Sequence, residues 1–134
     1  MASSTRIASP FVPDPAAERR RLLGERGESI AARHLTSLGM VLVDRNWRCD
    51  AGEIDLVLRD GTTLVICEVK TRSSLDFGSP LEAVTQVKVD RLRRLAARWL
   101  RVHEAHPDDV RIDMVGVLAA PGRPVEVEHV EGIG

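Results

Sequence analysis

Asp55, Glu68 and Lys70 fall within GEIDLVLRDGTTLVICEVKTR, residues 52–72, a stretch that otherwise reads as apolar strand. A carboxylate or ammonium in such surroundings costs on the order of 3 kcal/mol or more unless it is paired, hydrogen-bonded or metal-bound. A purely structural hairpin would avoid that cost, so these three residues are the first candidates for chemistry. Asp60-Gly61 between the two apolar runs is a two-residue hairpin signal. With that loop Arg59 pairs with Thr62 and Asp55 stands opposite Ile66, and alternation puts Asp55, Glu68 and Lys70 on one face; a loop one residue longer would break the convergence. Two carboxylates on adjacent strands make an all-oxygen site suited to Mg²⁺ or Mn²⁺, with Asp55 and Glu68 as ligands and water or substrate phosphate completing the shell. Lys70 beside them is suited to orienting a water and stabilising charge that grows on phosphorus.

The elements that must hold these residues follow from the pattern around them. Asp14-Pro15 offers a helix N-cap followed by proline at the first helical position, and Leu22, Leu23, Ile30, Ala31, Leu35 and Leu38 recur at helical spacing until Gly39. MVLVDRNW, EIDLVLR and TLVICEVK then read as three antiparallel strands. A second helix is expected from Leu81 to about His103, before Pro107, with two last strands at Val110 to Leu118 and Val125 to Val130. The run TLVIC is apolar at consecutive positions, as in a strand covered on both faces. The order implies an α/β fold, αβββαβ, with a mixed sheet flanked by helices and an extra C-terminal strand. Residues 14–134 are expected to form one domain, and residues 1–13, rich in Ser, Pro and Ala, a loosely held tail.

Composition narrows the partners. Aromatic residues make up 3% of the 134, too few for an extended stacking platform on single strands, and a net charge of -1 argues against a general DNA coat. The second helix nevertheless carries Lys88, Arg91, Arg93, Arg94, Arg98 and Arg101 against Asp90 alone, while the chain from Val102 onward is acidic. That segregation gives the helix a positive field suited to phosphate, with Arg72, Lys88, Arg91, Arg94 and Arg98 as the contacts expected for nucleic acid. Cys49 and Cys67 lack CxxC spacing, and no apolar run reaches the length of a membrane span or a signal peptide. A reducing, cytoplasmic setting without membrane attachment is expected. His103 and His106 have no further ligands at zinc spacing; they, like His34, read as ordinary helix residues, and Trp47 and Trp99 as core or interface anchors. Asp113, inside RIDMVGV, needs a cation such as Arg111 or a helix arginine.

GERGESIAARHL, NWRCDAGEIDLVL, LVICEVKTR and EAVTQVKVDRLRRLAARWL together resemble the bacterial YraN-type family, over about Gly24 to Val117. That family is placed in the restriction-endonuclease-like, PD-(D/E)xK nuclease superfamily, close to archaeal Holliday-junction resolvases. The resemblance implies a restriction-endonuclease-like core in which Glu28 is the helix glutamate, Asp55 the metal aspartate, and Glu68 and Lys70 the E-x-K pair. Glu53-Ile54 stands where the superfamily motif has proline. The activity implied is Mg²⁺- or Mn²⁺-dependent hydrolysis of DNA phosphodiesters at branched or repair intermediates, with Glu28 supporting the metal shell.

Two other readings fit the same fold: a module that binds nucleic acid without cutting it, and an interaction domain whose carboxylates form an ion-pair network. If the likeness to resolvases extends to use, a homodimer is expected, because paired cuts need two sites. The strands from Val110 onward, with Trp99 nearby, offer an edge for the second copy unless the acidic tail caps it.

Overall fold

A computed structural model describes residues 14–74, 76 and 78–133. The tail expected over residues 1–13 lies outside the described residues. Helix α1 spans Pro15–Ser37, and Asp14 caps it by accepting a hydrogen bond from the Ala16 amide. Its C-cap is Leu38, and Gly39 follows at φ 99°, a left-handed conformation that glycine adopts without strain. Strands β1 (Val41–Cys49), β2 (Gly52–Asp60) and β3 (Thr63–Arg72) form an antiparallel meander. A short 3-10 turn at Pro80–Ala83 leads to helix α2 (Gln86–Val102), then strands β4 (Asp109–Leu118) and β5 (Glu126–Val130).

The sheet runs β1-β2-β3-β4-β5, with β4 parallel to β3 through the α2 crossover and β5 antiparallel to β4. This is the expected mixed sheet flanked by two helices, consistent with a restriction-endonuclease-like core. Each helix covers one side of it. From α1, Ala31, Ala32 and Leu35 pack with Leu56, Leu58, Val65, Cys67, Val115 and Val117. From α2, Leu92, Leu95, Ala96 and Trp99 pack with Val57, Leu64, Ile66, Ile112 and Met114. Leu64 to Cys67 are all buried because β3 has a helix over each face, as its unbroken apolar run implies.

Three local expectations are corrected. The hairpin loop is Gly61-Thr62, since Asp60 pairs with Thr63 and Arg59 with Leu64. The register thus slides by two residues, which keeps the alternation of faces over the paired rows from Leu56 to Asp60. The expected convergence of Asp55 with Glu68 on one face is not found: Asp55 meets Glu28 of α1, whereas Glu68 bonds Arg91 of α2. The second helix does not begin at Leu81: the chain is extended at Val84 and Thr85, and the Thr85 hydroxyl caps α2 through the Lys88 amide. Trp99 belongs to the core, 4% exposed, with its indole N–H donating 2.9 Å to Asp44 Oδ2 on β1, so it offers no seam beside the last strands. Among the described residues, Val41, Leu42 and Val43 of β1 form an exposed apolar run on an edge strand of the sheet.

Asp113 on β4 is fully buried. Arg111 donates to both its oxygens at 2.9 and 3.1 Å, the Gly132 amide donates to Oδ1 at 3.0 Å, and His129 Nε2 lies 2.9 Å from Oδ2. Burial works against its charge, but the Arg111 hydrogen bonds, then His129 and Gly132, prevail and hold the carboxyl below its usual range. His103 is exposed at the end of α2, stacked on Trp99 with ring centroids 4.1 Å apart. His34 is half-buried, edge-on to His129. Cys67 is a buried free thiol, pushed well above the ordinary range first by burial, then by neighbouring carboxylates. Among the described residues no helix is long and apolar enough to cross a membrane.

Candidate active site

The β2–β3 ladder ends at Leu56 opposite Cys67, and the site lies where the two strands part. Beyond that row Asp55 Oδ2 accepts a 2.8 Å hydrogen bond from the Val69 amide, so a side chain takes over where backbone pairing stops. Strict alternation is interrupted here. Ile54 packs with Val57 on the α2 side while Leu56 and Leu58 face α1, and Asn46, on β1 between the pairs Trp47–Ile54 and Arg45–Leu56, has φ 53°. Counting along the strand therefore does not place the Asp55 carboxylate; its hydrogen bond to Val69 does.

The residues gathered around Asp55 are Glu28 from α1 and Glu53 from the start of β2. One carboxylate oxygen of each lies within 4.8 Å of the others, and all three residues are half-buried. Glu28 was named from the sequence; Glu53, which the structure sets beside it, was not. Its signal was present, because Glu53 is two residues before Asp55 on one strand, the spacing of same-face neighbours. Asn46 was missed too. With its amide nitrogen turned inward it donates 2.9 Å to Glu28 Oε2 and 3.2 Å to Glu53 Oε1, whereas the opposite orientation would set oxygen against oxygen. Asn tolerates the left-handed backbone that this placement needs.

Burial is the largest influence on Asp55 and raises its carboxyl to about 7; the Val69 hydrogen bond opposes this, and Glu28, Glu68 and Glu53 add to the rise. Glu28 is also raised, first by burial, with Arg45 opposing and Glu53 adding. Glu68 stands apart from the three-carboxylate group. Its Oε1 accepts a 3.1 Å bond from Arg91 Nη2 on α2. Arg91, expected to contact phosphate, is thus engaged at the site, and Arg98 pairs with Asp50 at 2.5 Å. Arg94 is exposed and Lys88 half-buried on α2, and Lys70 and Arg72 are half-buried at the end of β3. Lys70 and Glu28 line one open pocket together, which joins the end of the E-x-K strand to the helix glutamate.

The grouped ligand atoms are all carboxylate oxygens, with no thiolate or imidazole among them. That is a hard donor set, suited to Mg²⁺ or Mn²⁺ and unlike a zinc site. Glu28, Asp55, Glu68 and Lys70 all lie within residues 27–117, the span matched by the family model described as "Uncharacterised protein family UPF0102". The chain belongs to the UPF0102 family. A UPF0102 protein of Nocardioides sp. is 59% identical over 119 residues, covering 89% of this chain and 96% of the relative. One from Beutenbergia cavernae is 58% identical over 112 residues, covering 84% and 95%, and one from Streptomyces coelicolor 55% over 117 residues, covering 85% and 89%. The family span opens at Gly27, directly before the helix glutamate, and closes on Val117 in β4. It contains the site and both faces of the sheet.

Proposed function

We propose that this protein is a divalent-metal-dependent endonuclease of the PD-(D/E)xK type that hydrolyses phosphodiester bonds in DNA. The observation that carries the reading is the meeting of Glu28, Glu53 and Asp55 within 4.8 Å where β2 and β3 part. Three carboxylates lie close together, and one of them is raised to about 7, first by burial and then by its acidic neighbours. Such a group is well matched to a hard cation. Asp55, Glu28 and Glu53 would hold Mg²⁺ or Mn²⁺, with Glu68 available once its Arg91 partner is exchanged. A bound ion would supply an activated water and a counter-charge for the leaving oxygen.

The chain's own groups do the rest. The Val69 amide fixes the Asp55 carboxylate, and Asn46 bridges Glu28 and Glu53, so the oxygens are set before any substrate arrives. Lys70 places positive charge where negative charge accumulates on phosphorus. Lys88 and Arg94 on α2, with Arg91 and Arg98 when released from their carboxylates, hold the DNA backbone without reading its sequence. The setting proposed is cytoplasmic. Paired cuts would require two copies, and sedimentation with and without a four-way junction tests that homodimer.

The deciding experiment incubates duplex, flap, single-stranded and four-way-junction DNAs with the protein and Mg²⁺ or Mn²⁺. Cleavage that chelator abolishes and that Asp55→Asn removes is the expected result. Binding without cleavage of any substrate would favour the non-cleaving module, and no binding of either DNA or metal would leave the interaction domain.

A further inference from the structure

Beside the carboxylates lies an open pocket of about 720 Å³, walled by α1 on one side and the end of β3 on the other. Arg20, Leu23, Gly24 and Glu28 come from the helix; Val69, Lys70, Thr71, Arg72, Ser73 and Ser74 come from the strand and the residues after it. Because Glu28 and Lys70 belong both to this pocket and to the candidate active site, whatever fills it abuts the reacting position.

The chemistry of the lining selects an occupant. Arg20 is exposed and makes no ion pair among the described residues, whereas its neighbour Arg21 is held by Glu18 and Glu25 on the same helix. Arg72 makes no ion pair among the described residues either; its guanidinium donates 3.4 Å to the Thr71 carbonyl. Two guanidiniums without carboxylate partners, with three hydroxyl side chains nearby, match the oxygens of a phosphodiester. Among the described residues Glu28 is the one acidic residue in the lining, and it is shared with the active site. Among the described residues no aromatic ring lines the pocket, and Leu23 and Val69 give an apolar surface suited to a sugar.

We propose that this pocket is a backbone subsite, holding the phosphate next to the scissile one between Arg20 and Arg72, with Ser73 and Ser74 against the sugar-phosphate chain. It reads no sequence, since its contacts reach phosphate and sugar alone. The proposal rests on the nuclease reading and extends it: the strand enters over α1, crosses the carboxylates and leaves along α2. The occupant is a nucleic-acid strand, not a free nucleotide, because both ends of the path carry cations suited to successive phosphates.

Fluorescence anisotropy tests it with fluorescein-labelled duplex and single-stranded oligonucleotides of two unrelated sequences. Ca²⁺ replaces Mg²⁺ so that binding is measured without turnover. Arg20→Gln should lose about three- to tenfold in affinity, with a log affinity against log salt slope shallower by about one, equally on both sequences. Arg33→Gln, exposed on the same helix but outside the pocket, should change neither. Addition of a mononucleotide at the same concentration as the oligonucleotide should not displace it, and efficient displacement would assign the pocket to a small ligand. Equal affinity and slope in the Arg20 and Arg33 variants overturns the subsite. If the wild-type protein cuts DNA in that case, the nuclease reading stands and only the subsite falls; if it neither binds nor cuts, both fall.

Discussion

Gly27 and Thr71 touch so closely that a β-carbon on Gly27 would overlap the Thr71 hydroxyl oxygen and press on Thr71 Cβ and Cγ2. Gly27 is buried in α1, and Thr71 is one residue beyond Lys70 on β3. This contact sets the height of the helix above the strand, and with it the reach of Glu28 toward Asp55.

Gly27→Ala separates two opposing effects. In a free helix interior alanine would gain about 1 kcal/mol over glycine. Overpacking against a threonine β-carbon typically costs about 1–3 kcal/mol, so destabilisation should win. The expected result is a Tm lower by about 3–8 °C, with weakened metal binding as Glu28 is lifted. Gly27→Ala combined with Thr71→Ala should recover most of the loss, a coupling that thermal melts of the four-variant cycle measure directly.

Asp55 makes the metal-free protein pH-sensitive in a definite direction. Its carboxyl is raised from 3.8 to about 7. Between those values the folded state binds more protons than the unfolded one, so the stability linked to this group is full below about pH 4 and is lost as pH rises toward 7. Asp55→Asn removes that slope and can keep the bond from the Val69 amide. At pH 8 without metal, the variant should melt about 3–8 °C above the wild type, and the gap should close near pH 4. A lower Tm for Asp55→Asn at pH 8 would contradict the assignment.

Much of this arrangement can be read from residue spacing. The Asp14-Pro15 helix start, the doubly covered β3 and the strand order around α2 follow from caps, turns and apolar runs, because those signals are local. What escaped depends on small energy differences between alternatives. The Asp60-Gly61 and Gly61-Thr62 loops differ by a slide of two residues that leaves the buried faces unchanged, so hydrophobic pattern cannot choose between them. The break at Thr85 was hidden because a 3-10 turn keeps near-helical spacing at Pro80–Ala83. Glu53 and Asn46 join the site through an interruption at Asp55 that no regular periodicity describes, and the Arg91–Glu68 pair joins residues 23 positions apart.

Glu53 should therefore matter to metal. Its present partner Arg48, at 3.1 Å, is largely exposed, a pair of little worth to stability. Glu53→Gln should leave Tm within about 2 °C while weakening Mn²⁺ binding about tenfold or more by calorimetry. Glu68→Gln and Asp55→Asn should weaken it as well. Loss in those two with none in Glu53→Gln would restrict the ligands to the pair first expected.

Lys70→Ala should part binding from turnover. Metal and DNA affinity should change by less than about threefold while single-turnover cleavage falls about a hundredfold or more, the pattern of a group needed in the transition state alone. Lys70→Arg should not restore the rate, because a guanidinium is larger and differently shaped. Wild-type turnover in Lys70→Ala would remove it from the mechanism.

Asp113 turns the sheet into its own reference for these measurements. It stands in one row with Cys67 and Leu56 across three strands, one residue's step from Asp55, yet its charge is answered from within by Arg111, His129 and the Gly132 amide. Carbon-13 carboxyl spectra of the metal-free protein should accordingly hold two clocks. As pH falls from about 8 to 6 the Asp55 signal should move while that of Asp113, held below the usual range, stays still. Anything that merely loosens the fold shifts both, whereas a cation captured between β2 and β3 shifts one.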